Sequence, residues 1–393
     1  MRSLPLEYAA RNLARTPLRT MLAFLGSTLV LTLLLGVVGF MRGMSESLRG
    51  SGDDNLLFMG AGSEESVERS EIPARAAGIV AASLGGLREV LGQPSVSPEV
   101  HAALPVRTAE RDDLVDPPLI VVRGVTPMAF AVHPRVVLVE GRLAETGRDE
   151  VLAGHLAASM LGVERIAPGT RLVIGEREVA VVGVFEAPGS VMAAELWMPL
   201  TDLQVLAQRD SVSCLVAGLP SDPAAHAPLL AAAEAFSATR LDLELVAMRE
   251  RDYYARLEAF FGPLRAMIAA GGVLVGLGAL LGGLSTLHAA FAARIREFAT
   301  LQVLGFGRGA ILRSMFEEAL LLNAAALLAA SGISLLLLDG LSIRFSMGLF
   351  GISIDDVAII TGIGAAIAVS LLGIALPAWR CLLAPIPEAL RDG

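Results

Sequence analysis

The sequence predicts a membrane α-helical chain, four transmembrane helices with an inserted α+β extracytoplasmic domain, on three observations. Hydrophobic residues make up 54% of the 393 positions and charged ones only 18%, whereas an ordinary soluble domain carries about 25% charged residues. The apolar excess is gathered into four blocks rather than spread along the chain. The arginines are distributed unevenly around those blocks.

The first block, Thr20 to Met41, has no ionisable side chain over 22 residues, roughly 33 Å of helix and enough for a hydrocarbon core of about 30 Å. The second is uncharged from Ala266 to Ala293 apart from His288. The third and fourth centre on Ala319 to Leu338 and Val357 to Trp379. Buried helices of soluble domains rarely need such lengths. The expected layout is a cytoplasmic amphipathic segment at 1–19, spans at 20–41, 263–293, 313–338 and 357–379, and an extracytoplasmic domain at 42–262. A cytoplasmic segment at 294–312, a short outer loop at 339–356 and a cytoplasmic tail at 380–393 complete it. The first block reads as a retained anchor, because its apolar run exceeds that of a cleaved signal and no small-residue cleavage site follows before Arg42.

Orientation follows from the short segments. Ten arginines (2, 11, 15, 19, 294, 296, 308, 313, 380 and 391) fall on one side, against Arg344 alone in the loop 339–356. That bias puts both termini and the 294–318 segment in the cytoplasm and sends the large domain outside. From Arg42 to Arg265 the chain carries 31 Asp and Glu against 20 Arg, an acidic balance that argues against nucleic acid as a partner.

Within the outer domain, 119–125, 136–139, 171–174 and 179–185 are β-branched runs bounded by Gly and Pro, hence strands, while 155–161 and 223–238 look helical. The Gly-, Ser- and Glu-rich stretch 60–70 reads as a mobile loop. Phe40, Met44 and Leu48 prolong the periodicity of the first span, and an amphipathic segment from Met248 to Phe261 leads into the second. These two extensions are expected to meet as a stalk.

No catalytic constellation emerges. His101, His133, His155, His226 and His288 are scattered, with no pair at metal-ligand spacing and no HExxH. Neither a G-x-S-x-G elbow nor paired intramembrane charges for an ion path are present. No catalytic, cofactor or metal residues are expected. Cys214 and Cys381 fall on opposite sides of the membrane in this layout and cannot pair within one chain. The chain also contains no lysine, so it cannot supply the phosphate-binding lysine of a P-loop.

Two features rise above this background. Gly272 with Gly276, and Gly278 with Gly282, are small-xxx-small pairs suited to close helix packing, in a dimer or within the chain. The segment RIREFATLQVLGF, 294–306, is short and amphipathic, with Phe298, Leu301 and Leu304 at helical spacing and Gly305 placed to cap it.

Those last residues carry a resemblance. The segment 294–306 resembles the coupling segment of ABC-transporter permeases of the MacB/FtsX-like family, with Gln302 standing where many relatives have arginine. The opening ARNLARTPLRTML (10–22) and the ending PAWR (377–380) with APIPEALR (384–391) are similar to that family's termini. VRGVTP (122–127), EGR (140–142), DEVL (149–152) and VVGVFEAPG (181–189) resemble its periplasmic core domain. The resemblance implies a non-catalytic, multi-pass permease of the bacterial inner membrane, a homodimer or heterodimer in contact with membrane lipid. ATP hydrolysis would sit in a separate P-loop ABC ATPase, and the permease would pass that motion to its outer domain for efflux or for lipoprotein or lipid extraction. Arg294, Arg296, Glu297, Phe298, Leu301, Leu304, Gly305 and Phe306 would then be the ATPase-coupling residues. The alternative is a non-transporting signalling protein that switches an outer partner such as a cell-wall hydrolase.

Overall fold

The computed structural model describes residues 6–51, 54–110, 117–292, 295–339, 341–345 and 348–383. The chain divides into two units: Gly43–Gly262 with Ser342–Gly351, and the remaining segments Met1–Arg42, Pro263–Leu341 and Ile352–Gly393.

The first of these is α+β. Among the described residues ten strands join one sheet: β1 (Asn55–Gly60), β2 (Val96–Thr108), β3 (Leu119–Val125), β4 (Val137–Gly141), β5 (Glu150–Gly154), β6 (Arg171–Ile174), β7 (Arg177–Glu186), β8 (Leu196–Pro199), β9 (Cys214–Gly218) and β10 (Leu245–Arg249). Their order is β10-β1-β9-β2-β3-β8-β5-β7-β4, with β6 paired to both β7 and β2. The β3–β8 and β5–β7 pairs are parallel and the rest antiparallel.

β1 shows why these residues make such a sheet. Successive side chains of a strand point to opposite faces, and all six residues of β1 are buried. Leu56 and Phe58 enter the main core with Val100, Val122 and Leu215. Leu57 and Met59 enter a second cluster on the other face with Val216, Met248, Tyr253 and Tyr254. A continuous apolar run is what a strand covered on both faces requires. The helices Ala76–Ser83 and His226–Thr239 help close the main core through Val80 and Leu229. The helix Glu250–Phe260 supplies the two tyrosines. Gly154 permits a close approach, since a Cβ there would run into the backbone carbonyl of Ala193.

Two sequence expectations change. The stretch 60–70 is tied down: Gly60 N–H donates to Ser70 Oγ at 2.8 Å, Val67 N–H donates to the Tyr253 hydroxyl at 3.3 Å, and Val67–Arg69 forms a 3₁₀ turn. The outer loop contains a hairpin, Ser342–Phe345 with Gly348–Gly351, which the sequence signals did not reveal. Within this unit Ser45 Oγ donates to Glu258 Oε1 at 3.0 Å, beside the buried Met44 and Leu48.

The second unit is helical: Leu6–Arg15, the first part of Pro17–Ser51, Gly262–Ala292, Ile295–Val303, Arg308–Ile333 and Asp356–Leu383. Thr20–Leu48, Arg308–Leu338 and Asp356–Ile374 are long and apolar enough to cross a membrane. A fourth span counts if Glu250–Phe260 and Gly262–Gly278, bent by 46°, form one. Leu22, Leu25 and Leu29 line one side of the first helix and are more than half exposed, which suits a lipid solvent and no aqueous one.

Polar contacts stitch these helices together. Asn323 Nδ2 donates to Ser370 Oγ at 2.9 Å, and Ser370 Oγ bonds back to the Ala366 carbonyl at 2.7 Å. Arg42 Nε donates to Asp355 Oδ2 at 2.7 Å, and Ser353 N–H reaches the Gly39 carbonyl at 3.1 Å. Gly39 favours this packing, because a Cβ would crowd Ile354 Cδ1 at 2.6 Å, Ile352 Cγ2 at 2.9 Å and the Ser353 carbonyl at 3.1 Å.

Candidate functional site

Two places concentrate residues that packing alone does not explain: the segment 294–306 marked by the sequence, and a buried charged cluster in the α+β unit.

This segment contains a helix, Ile295–Val303, ended by Gly305 at φ +92°. A left-handed residue there lets Gly305 N–H reach the Gln302 carbonyl and Phe306 N–H the Leu301 carbonyl, both at 3.0 Å, satisfying last-turn carbonyls. The helix Arg308–Ile333 starts directly afterwards, with Gly307 as its N-cap. The predicted apolar face is split in two. Phe298 is 2% exposed and packs on Ile311, Met315, Ala319 and Ile374, with Leu301 at the margin. Leu304 is 62% exposed, next to Val303 at 66%. Glu297 pairs with Arg15 at 3.7 Å, both side chains largely in solvent, a contact worth little. Arg294 and the side chain of Arg296 lie outside the described residues. Phe306 is half-buried.

The glycine pairs are also separated. Gly272 faces Val37, whose Cγ1 would lie 3.3 Å from an added Cβ, a close contact between the first two long helices. Gly276 and Gly278 face open space, and the surroundings of Gly282 lie outside the described residues.

The charged cluster sits where β2, β3 and β9 meet the start of the helix Glu250–Phe260. Glu99 and His101 are alternate residues of β2 and share a face. Cys214 of β9 is the register partner of Glu99. Arg123 of β3 is 2% exposed and donates from Nη1 to Glu99 Oε2 at 2.7 Å. It also forms a bidentate pair with Glu195, Nε and Nη2 each at 2.7 Å. Trp197 Nε1–H donates to Glu195 at 2.8 Å and its ring lies 5.5 Å from the guanidinium carbon. His133 Nε2 contacts Glu99 Oε1 at 3.0 Å, while its Nδ1 lies 3.9 Å from Glu250 Oε1. Asn55 Nδ2 donates to Glu250 Oε2 at 2.7 Å and to the Val132 carbonyl at 2.9 Å.

Burial alone would push the Glu99 carboxyl up, but His133 and Arg123 hold it well below the usual carboxylate range. Burial likewise opposes the charge on His133, and Glu99 outweighs it, so the His133 pKa is raised. His101 goes the other way: burial and the nearby Arg123 lower its pKa. Burial pushes the Cys214 thiol well up. The cluster therefore holds an ionised Arg123 between two carboxylates, a neutral thiol and two imidazoles of opposite tendency. Through Glu250 and Asn55 it ties the sheet to the helix Glu250–Phe260. Glu99, His101 and Cys214 are the metal-capable group among the described residues, their donor atoms all within 4.8 Å of one another.

The histidines scattered in sequence are thus partly gathered by the fold. A signal existed: two ionisable residues, Glu99 and His101, at alternate positions on one face of the strand. It went unused because the partners lie 24 to 113 positions away.

A chain with several helices long and apolar enough to cross a membrane and a large α+β insertion after the first of them defines the class as a multi-pass membrane protein with an inserted soluble domain. Residues 20–236 match the family described as MacB-like periplasmic core domain, and 269–385 match the FtsX-like permease C-terminal family. The chain belongs to the MacB/FtsX-like family of ABC-transporter permeases. Members of that family are non-catalytic membrane subunits that work with an ABC ATPase. Among solved structures the chain is similar to the periplasmic region of MacB from Actinobacillus actinomycetemcomitans, at 14% identity and a TM-score of 0.40, over 55% of this chain and 97% of that one. It is also similar to the extracellular domain of the noncanonic ABC-type transporter YknZ from Gram-positive bacteria, at 13% identity and a TM-score of 0.37, over 49% and 98%. Among curated proteins there is no significant match.

Proposed function

We propose that this chain is the passive half of an ATP-driven machine of the bacterial inner membrane, with both termini inside and four spans. A separate ATPase docks on the cytoplasmic segment 295–306, and its closure is passed through the helices to the outer domain. The observation that carries the reading is the exposed pair Val303 and Leu304 at the end of a capped helix whose other face, through Phe298, is anchored on Ile311 and Met315. A helix held on one side and apolar on the other suits transmission, because a push on the free side is delivered to the helix Arg308–Ile333. The absence of lysine supports an ATPase supplied by another chain.

The test is Leu304→Asp, with co-purification of the ATPase and ATP turnover of the complex as readouts. Burying an unpaired carboxylate in the contact costs several kcal/mol, so association or turnover should fall by about two orders of magnitude or more. Phe298→Asp is the contrasting variant, expected to unfold its own cluster. A monodisperse Leu304→Asp protein with normal association and normal turnover would remove the coupling role from this segment. Transport of cargo is favoured over pure signalling by family membership alone, and efflux and extraction are equally compatible with the fold.

A further inference from the structure

We propose that the buried triad Glu99, His101 and Cys214 is a zinc site in the outer domain, a site that neither the family nor the coupling reading assigns. The three donors are brought together by strand register. Cys214 and Glu99 are direct partners across β9 and β2, where facing Cβ atoms lie about 5 Å apart, and His101 is two residues further on the same face. His101 Nε2 lies 3.8 Å from Cys214 Sγ and 3.6 Å from Glu99 Oε2.

Those two separations match the metal, and the third pair, Cys214 with Glu99, lies within 4.8 Å. Zinc bound at about 2.0–2.3 Å to nitrogen, oxygen and sulfur in a tetrahedral arrangement holds its donors roughly 3.3–3.8 Å apart. One imidazole, one thiolate and one carboxylate form a donor set of borderline softness, which suits Zn²⁺ over Mg²⁺ or Ca²⁺. The surroundings resemble the support that metal ligands usually have. Glu99 Oε1 is held by His133 at 3.0 Å and Oε2 by Arg123 at 2.7 Å, and outer partners of this kind fix ligating carboxylates.

Charge also favours a cation. Three carboxylates, Glu99, Glu195 and Glu250, are buried here against two cationic partners, Arg123 and His133. Binding converts the Cys214 thiol to thiolate with release of its proton, so two positive charges enter and one leaves. The fourth position falls to water or to a neighbouring side chain.

The experiment uses the full chain, expressed in medium with Co²⁺ in place of Zn²⁺ so that metal is present while the domain folds. The Cys381→Ser variant leaves Cys214 as the remaining thiol. It should purify in detergent with one cobalt per chain, a thiolate-to-cobalt charge-transfer band and tetrahedral d–d bands, all bleached by Zn²⁺. Cys214→Ser should lose the charge-transfer band, and His133→Gln should keep it but retain metal about 10- to 100-fold less well against a chelator. Folded Cys381→Ser protein with no bound cobalt and no thiolate band overturns the proposal, and so does an unchanged band in Cys214→Ser. Because Cys381→Ser leaves the triad intact, the decision does not depend on any triad variant folding.

Discussion

Arg123→Met removes the cation that holds the outer-domain cluster together. Arg123 is 2% exposed and makes three charge-assisted bonds of 2.7 Å, one to Glu99 and two to Glu195. Methionine fills much of the same volume but leaves both carboxylates in a site without a guanidinium. Breaking a buried ion pair by removing one partner costs about 3–5 kcal/mol, a large share of the roughly 5–15 kcal/mol that holds a typical domain folded. The assay is urea unfolding of the full chain in detergent with chelator present. In a Trp379→Phe background Trp197 is the remaining tryptophan, and its indole N–H bonds to Glu195, so its fluorescence reports the cluster directly. Arg123→Met/Glu195→Gln, which neutralises one stranded carboxylate, should recover about 1 kcal/mol or more, since contacting residues couple. A loss below about 1 kcal/mol for the single variant, or no recovery in the double, would refute the reasoning that the cluster is one coupled network.

Three further outcomes follow from the geometry. Glu150 accepts from both terminal nitrogens of Arg142 and from the Glu145 N–H, and its pKa is lowered to about 2, chiefly by Arg142. A depressed carboxyl stabilises the fold fully above the unfolded value of about 4.3 and loses that contribution as pH falls toward 2, so Glu150→Gln should lower the melting temperature at neutral pH, flatten the acid limb of the profile and converge with the parent near pH 2. Gly39→Val should cost about 1–3 kcal/mol, read as a lower melting temperature and faster proteolysis of 339–356, because its side chain would collide with Ile352, Ile354 and the Ser353 carbonyl. Gly154→Ala should fail to give folded outer domain at 37 °C, by circular dichroism, since the obstacle is the Ala193 backbone.

The membrane part was legible because lipid imposes a long, charge-free period that few other structures need. The predicted 357–379 falls within the helix Asp356–Leu383, and 313–338 is covered by the helix Arg308–Ile333 and the π turn Ser334–Leu338. Local β-branched runs such as 119–125 and 171–174 likewise coincide with strands. The hairpin 342–351 was not legible, because Ser342–Phe345 and Gly348–Gly351 are short and carry no Asn-Gly or Asp-Gly turn. In the coupling segment, helical spacing placed Phe298, Leu301 and Leu304 on one face but could not show that Phe298 is claimed by Ile311 and Met315. The charged cluster escaped for the same reason. Sequence spacing describes one element, while Glu99, Arg123, His133, Cys214 and Glu250 come from five places that only the sheet order brings together.

The central claim is that the coupling segment and the outer domain lie on opposite sides of one membrane, so that work done on one is felt at the other. Cys214→Ser/Cys381→Ser protein, in intact cells with the outer membrane permeabilised, carries one new cysteine at Glu65 or at Gly307, both exposed. A membrane-impermeant maleimide should label Glu65→Cys from outside and should reach Gly307→Cys only after the inner membrane is opened. Labelling of Gly307→Cys in sealed cells, with Glu65→Cys protected, would contradict the account.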